Sequence, residues 1–362
     1  MKLFAYYFLV FGLVITAACS TDVETNAPYQ DVPVVYGVLN PDSAFQYIRI
    51  TKGFLNADGT DARDIALKNP DAYYYAADEL DVKLLATYDN KVDTVASFSQ
   101  ITNNNKMADG DFAYPEQKLY ISQGPVDLDV ARFNLLPTQQ KRILFKVWVR
   151  NLKTNKVVVA NTSLVGAYTM ASPSEQSPGS SVNDFDFYVE KGSTNNFIAI
   201  SPAPTNASVF KANLKINIRE VFKDGTTKDT SILWTNIASP LTVGNSNNIN
   251  KDIEANGFFE LMLSSLKNKP NLDYRVFVPS EFYFYAGNSD YQRYLQLLNN
   301  YSPISQTRPI YNNIEGGLGL WTSVRNKKIA VRISNRTVDE MNFVTNNQPR
   351  RADLFNLKFK SN

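Results

Sequence analysis

The chain has 362 residues, 37 of them basic and 35 acidic, for a net charge of +2. That near-balance, without a basic run, excludes the electrostatic footprint of a nucleic-acid-binding protein, and a hydrophobic fraction of 44% excludes wholesale disorder. With no histidine and one cysteine, the sequence also excludes histidine-based catalysis, histidine metal sites, the usual zinc and iron–sulfur ligand sets and any intrachain disulfide.

The chain opens with Lys2 and an almost unbroken apolar run from Leu3 to Ile15, followed by Thr16, Ala17, Ala18 and Cys19. This is the charged, apolar, then small-residue layout of a secretory signal. The run falls short of the ~20 residues a membrane-spanning helix needs. A cysteine directly after two alanines resembles the lipobox of bacterial lipoproteins, although Thr16 departs from the leucine common at that position. The resemblance implies that residues 1–18 are a signal peptide removed on export. It also implies that Cys19 carries a diacylglycerol and an acylated amine, including palmitate-type chains. Several acyl chains anchor firmly where one is marginal. Residues 19–27 form a short polar tether. Within it, Asp22 and Glu24 resemble the acidic surface-export signal of Bacteroidota lipoproteins, with a plain hydrophilic spacer as the alternative.

Strand patterns dominate the mature chain. Val32 to Leu39 and Gln46 to Thr51 flank the turn cluster Asn40-Pro41-Asp42-Ser43. Asp81 to Tyr88 and Lys91 to Ser97, around Asp89-Asn90, predict a hairpin. Ile143 to Val149 and Lys156 to Thr162 predict another, with Phe145, Val147 and Val149 facing a core and Trp148 facing away. Tyr73-Tyr74-Tyr75 would expose at least one ring if it ran as a strand. Gly166 to Ser181, rich in proline, serine and glycine, is the expected linker. Beyond it, Asn213 to Phe222 alternates strongly, and Asp224-Gly225 turns the chain back toward Thr230 to Trp234.

Helix signals are few. Gly257 to Leu266 holds a compact apolar set. Ser289 and Gln292 have capping-box spacing, with Tyr291, Tyr294, Leu295 and Leu298 on one helix face. The expected fold class is mainly β. It comprises two β-sandwich domains, Ig-like or jelly-roll-like, with one or two short helices in the C-terminal half. The N-terminal domain spans 28–165, the linker 166–181 and the C-terminal domain 182–362.

Several blocks together resemble a family of Bacteroidota cell-envelope lipoproteins of unknown function. They are Ala27 to Asn40 (APYQDVPVVYGVLN), Tyr47 to Leu55 (YIRITKGFL), Pro70 to Tyr74 (PDAYY), Tyr114 to Tyr120 (YPEQKLY) and Arg308 to Leu320 (RPIYNNIEGGLGL). The resemblance implies a β-rich fold and an envelope location. It implies no reaction, so no catalytic residues carry over.

Candidate chemistry is sparse. Gly316-Gly317-Leu318-Gly319 lacks the Lys-Ser/Thr of a phosphate loop and reads as a tight turn or a close backbone approach. Asn56 to Asp61 and Asp109-Gly110-Asp111 offer oxygens without a complete calcium ligand set, so no metal site is expected. Asp42-Ser43-Ala44 and Asp93-Thr94-Val95 resemble the O-glycosylation signal of Bacteroidota, which makes Ser43 and Thr94 candidate acceptors. Asp184 and Asp186 are the closest carboxylate pair for histidine-free glycoside hydrolysis, flanked by Phe185 and Phe187 as in an ordinary amphipathic strand. Phe282 to Tyr285 and Trp321 form an aromatic-rich region, and Tyr283, Tyr285 and Trp321 are the candidate recognition surface, with core packing as the default alternative for such rings.

These readings predict an outer-membrane or cell-surface lipoprotein with a non-enzymatic binding or accessory role in nutrient capture or transporter assembly. It needs no cofactor. Its partners are the membrane, reached through lipid, and an outer-membrane transporter or other envelope protein, with no nucleic acid. The alternatives are a structural or adhesive envelope protein and a histidine-free glycan hydrolase.

Overall fold

The computed structural model describes residues 31–53, 70–106, 116–128, 142–175, 183–188, 196–299, 311–345, 348–349 and 352–361. Cys19, Asp22, Glu24 and both acidic loops, Asn56 to Asp61 and Asp109 to Asp111, lie outside them. The fold is mainly β.

The first half builds β1 (Val32–Leu39), β2 (Tyr47–Gly53), β3 (Leu80–Tyr88), β4 (Lys91–Asn103), β5 (Gln117–Ser122), β6 (Leu144–Asn151) and β7 (Val157–Thr162). Then follow β8 (Met170–Ser172), β9 (Asp184–Phe185), β10 (Phe197–Ile200), β11 (Val209–Phe222), β12 (Thr227–Trp234) and β13 (Ile249–Asp252). The rest comprises α1 (Ala255–Ser265), β14 (Leu272–Gly287), α2 (Ser289–Asn299), β15 (Leu318–Ile333), α3 (Asn335–Met341), β16 (Val344–Thr345), β17 (Gln348–Pro349) and α4 (Ala352–Phe355).

The predicted hairpins form where turn chemistry allows them. Asp89 and Asn90 both adopt positive φ, 43° and 62°, the conformation a tight two-residue hairpin demands. Asn155 closes the β6–β7 turn at φ 59°, and Gly225 closes β11–β12 at φ 80°. Alternation then sets the faces. Along β6, Phe145, Val147 and Val149 are buried, while Trp148 faces outward under the Lys83 ammonium, 5.0 Å from its ring.

Twelve strands form one mixed sheet in the order β12-β11-β14-β15-β1-β2-β5-β4-β3-β6-β7, with β9 also on β15. The expected pair of separate sandwiches is therefore not what the strand pairing forms. The reason is β15. Its opening segment, Leu318 to Ser323, runs parallel to β1, and the following segment, Val324 to Val331, runs antiparallel to β14. One strand thus belongs to both halves. The ribbon also returns on itself, because Val159 in β7 and Glu315 just before β15 exchange backbone hydrogen bonds of 3.2 and 2.8 Å.

Two hydrophobic cores flank this spine. One gathers residues from Val35 to Leu164 and adds Ile314 and Trp321 from far along the chain. The other runs from Val165 to Phe359. In the second, α1 inserts Phe258, Phe259 and Met262, and Phe258 stacks on Phe187 at 4.1 Å. A three-stranded sheet, β13-β10-β8, adds Ile198, Ile200 and Ile249 to the same core.

Three local expectations change. The stretch from Gly166 to Ser181 is not a free linker over its described residues. Tyr168 and Met170 are buried in the second core, and the Gly166 N–H donates to Thr205 O at 2.8 Å. Tyr73, Tyr74 and Tyr75 are all buried, because the segment follows a short 3-10 turn (Pro70–Ala72) and does not run as a strand. The second half carries four helices among the described residues, not one or two, because α3 and α4 are too short to leave a periodic signal. No helix among the described residues is long and apolar enough to cross a membrane.

Candidate functional site

The strand register separates the three rings expected to form one surface. Trp321 is fully buried in the first core, and its Nε1–H donates to the carbonyl of Phe145 at 2.9 Å. It leaves the candidate surface because the β15 segment from Leu318 to Ser323 pairs with β1 and turns the Trp321 ring into the first core. The glycines before it serve the same pairing. A Cβ at Gly317 would lie 2.6 Å from Pro33 O, and one at Gly319 would lie 1.9 Å from Val35 O. The backbone that approaches them is the chain's own β1, not an outside ligand.

Tyr283 and Tyr285 remain half-exposed on the outer face of β14, because Phe282, Phe284 and Ala286 take the inner face. Their rings are near-parallel, 9° apart in plane and 6.5 Å between centroids. Neighbouring strands complete the face. Lys211 and Asn213 of β11 lie opposite Tyr285 and Tyr283, and Asn326 and Lys328 of β15 lie opposite on the other side.

Glu281 organises the charges. It accepts from Lys328 at 2.5 Å, from the Tyr283 hydroxyl at 2.8 Å and lies 3.3 Å from Lys215 Nζ. The Lys328 ammonium, then the Tyr283 hydroxyl, hold its carboxyl down at about 2. In return, the Glu281 carboxylate holds the Tyr283 phenol above its ordinary range and raises Lys328. Burial raises Tyr285. At neutral pH the face therefore presents neutral phenols, fixed ammonium groups and two asparagine amides. It holds donors and acceptors for a polar ligand, and no nucleophile beside a base.

Helix α2 borders this face. Its cap is not Ser289. Asn288 fills that role: its Oδ1 accepts from the Tyr291 N–H at 3.2 Å, and its carbonyl accepts from the Gln292 N–H at 3.0 Å. The Tyr291 ring lies against Gly287, where a Cβ would come within 2.4 Å of Cδ1.

One member of the carboxylate pair is engaged by a cation. The Arg332 guanidinium holds Asp184 through two hydrogen bonds of 2.8 and 3.2 Å. Asp186 is fixed by its backbone, which exchanges hydrogen bonds with the Asn196 amide. Among the described residues, no three Cys, Asp or Glu side chains converge as a metal site would require. Ser43 lies in the β1–β2 turn, its hydroxyl donating to Phe45 O at 2.8 Å, and Thr94 is exposed on β4.

The sequence showed that Tyr283 and Tyr285 share a face, because alternation is local. It did not show Glu281, Lys215 and Lys328 around them. Those residues come from three strands whose register spans more than a hundred residues, and only the outward positions of β11 hinted at some of it. Compared with known proteins, the chain matches no family model, no curated protein and no solved structure.

Proposed function

We propose that this chain is a lipid-anchored binding protein of the Bacteroidota outer membrane, without enzymatic activity. Its recognition surface is the outer face of β11, β14 and β15 around Tyr283 and Tyr285. The observation that carries this reading is the parallel, half-exposed tyrosine pair, of which Tyr283 is tied through Glu281 to two lysines. Aromatic rings with polar tips on a rigid sheet suit recognition of a polar partner. The layout of residues 1–19 and the family resemblance support the anchor at Cys19, and Asp22 and Glu24 support surface export. The two cores are read as two sandwich-like units sharing β15. An outer-membrane transporter or another envelope protein is the partner, and Ser43 and Thr94 are the candidate glycosylated positions.

Two measurements test this. Cys19→Ala abolishes incorporation of labelled fatty acid, whereas unchanged labelling removes the anchor. Tyr283→Ala with Tyr285→Ala leaves the fold intact and weakens recovery of membrane partners, since a hot-spot aromatic is worth about 2 kcal/mol or more. Undiminished recovery from that double variant retires the surface.

A further inference from the structure

The tyrosine face of β14 continues into α2. Gly287 follows Tyr283 and Tyr285 on the same outward side, and the Tyr291 ring stands over it, its Cδ1 2.4 Å from where a Cβ would be. Three rings therefore follow one another along the row. Pairing sets a donor on each side of the first two. Across Tyr285 lie Lys211 on β11 and Asn326 on β15, and across Tyr283 lie Asn213 and Lys328. Lys211 makes no ion pair or hydrogen bond among the described residues. The protein itself turns the two amides. Asn213 Oδ1 accepts from the Asn236 N–H at 3.0 Å. Asn326 Oδ1 accepts from Asn40 Nδ2 at 2.7 Å, and Asn40 cannot be reversed because its own Oδ1 accepts from the Asp42 N–H at 3.1 Å. Both amide oxygens are taken, and both NH2 groups donate to nothing among the described residues. Glu281, the carboxylate of the face, is already engaged by Lys328, Tyr283 and Lys215. The free capacity beside the rings is thus one ammonium and two amide donors, apart from the Tyr285 hydroxyl, which can donate or accept.

We infer that this face takes a glycan whose sugars carry carboxylates, a uronic-acid oligosaccharide. The inference rests on the recognition surface proposed above and names what that surface takes. The apolar face of a sugar ring suits tyrosines set side by side. Fixed donors call for acceptors, and a sugar hydroxyl rotates so that it accepts here while its proton goes to water. An extended peptide brings an N–H for every carbonyl, and those N–H groups would meet no free carboxylate on this face. Charge selects the acid. Lys211 is one unpaired unit charge, which a carboxylate matches, whereas a phosphate monoester carries nearly two. The bond between ammonium and carboxylate is charge-assisted, so it outweighs the neutral ones beside it.

The full chain is titrated calorimetrically with oligomers of galacturonate, mannuronate and hyaluronan, with the methyl ester of each, and with poly-glutamate. Saturable binding to at least one of the three acids is expected. Its ester and poly-glutamate should bind about tenfold more weakly or worse, the size of one lost charge-assisted hydrogen bond. Lys211→Met lowers affinity by a similar factor. Asn326→Asp keeps the acceptor for Asn40 while replacing the free donor with a carboxylate, and it lowers affinity too. Thermal melting of both variants stays at the parent value. Absence of binding to all three acids overturns the inference. Equal binding of the esters overturns it, because charge is then not read. Equal binding of poly-glutamate overturns it by assigning the face to an acidic peptide, and full affinity in both variants overturns it by placing the sugar elsewhere. The surface itself is judged separately. If no acid binds while Tyr283→Ala with Tyr285→Ala still weakens recovery of membrane partners, this inference alone is lost; if recovery is also undiminished, both are.

Discussion

Trp321 lies over Gly37 so closely that a Cβ at position 37 would come within 2.4 Å of the indole Cζ3. The two residues are 284 positions apart and directly opposed in the parallel β1–β15 pair. The absent side chain at 37 is the space the indole occupies. Gly37→Ala is expected to cost about 1–3 kcal/mol by overpacking. Trp321→Ala should cost about 3–5 kcal/mol through the cavity it leaves. Because one collision underlies the first cost, the double variant should be clearly less destabilised than the sum. Urea unfolding of the four proteins measures this, and additive costs would falsify the contact.

Gly319 and Gly225 both adopt positive φ, at 124° and 80°, but differ in what surrounds them. A Cβ at 225 meets nothing within 4 Å, whereas one at 319 collides with Val35 O at 1.9 Å. Gly225→Ala should therefore cost only the backbone strain, about 1–2 kcal/mol. Gly319→Ala must also push β1 and β15 apart against their hydrogen bonds, and its cost should exceed about 4 kcal/mol. Similar melting temperatures for the two variants would contradict the close β1–β15 approach.

The same strands show where local pattern stops informing. The hairpins β3–β4, β6–β7 and β11–β12 were legible because their partners are neighbours in sequence and their turns carry Asp89-Asn90, Asn155 and Gly225. The sharing of β15 was not legible. Leu318 to Ser323 must find β1 almost the whole chain away, and parallel pairing leaves no turn between partners to read. That is why Trp321 was placed on a candidate surface beside a tight glycine turn. Val34 to Tyr36 lie directly opposite Leu318 to Leu320, so the absent side chain of Gly319 answers to the backbone of Val35. Tyr283 and Tyr285 were placed on one face because a two-residue period needs no partner. Their ionic surroundings needed register, and register is set by pairing across the sheet.

Glu281 carries a pH signature. Its folded pKa is lowered to about 2 from an ordinary 4.5, chiefly by Lys328 and then by the Tyr283 hydroxyl. A carboxylate lowered on folding stabilises fully above its unfolded pKa and stops doing so as pH falls through the folded one. The contribution is thus present above about 4.5 and lost on descending toward 2. Glu281→Gln should be less stable than the parent near neutrality and converge with it in strong acid. The gap should shrink in high salt, because the pair is partly exposed and screened. Urea midpoints across the acid range measure this, and a constant gap would mean that the carboxylate is not tied to Lys328.

Asn288 joins the two cores, and its removal should uncouple them. Its buried amide donates to Thr162 Oγ1 at 2.6 Å and to Ser163 O at 3.0 Å, both at the end of β7. Its Oδ1 accepts from Thr322 Oγ1 at 2.6 Å in β15, and from the Tyr291 N–H that opens α2. The Asn288 N–H reaches Ser323 O at 3.2 Å, and the Ser323 hydroxyl accepts from the Val165 N–H at 3.2 Å. One side chain therefore ties the last strand of the first half, the shared strand and the first turn of a helix in the second. Asn288→Ala takes this partner from the buried Thr162 and Thr322 hydroxyls and from the half-buried Ser163 carbonyl, at about 1–3 kcal/mol for an unsatisfied group. Losing the cap adds about 1 kcal/mol. Asn288→Asp keeps the acceptor for Thr322 and Tyr291 but loses the donor to β7, so it separates the two effects. Helicity in α2 should survive in Asp and fall in Ala, while protection of the β7 amides should fall in both. Hydrogen exchange resolved by segment reads each arm. If the β7 amides exchange no faster in either variant, Asn288 does not couple the cores, and the shared strand β15 alone holds the halves together.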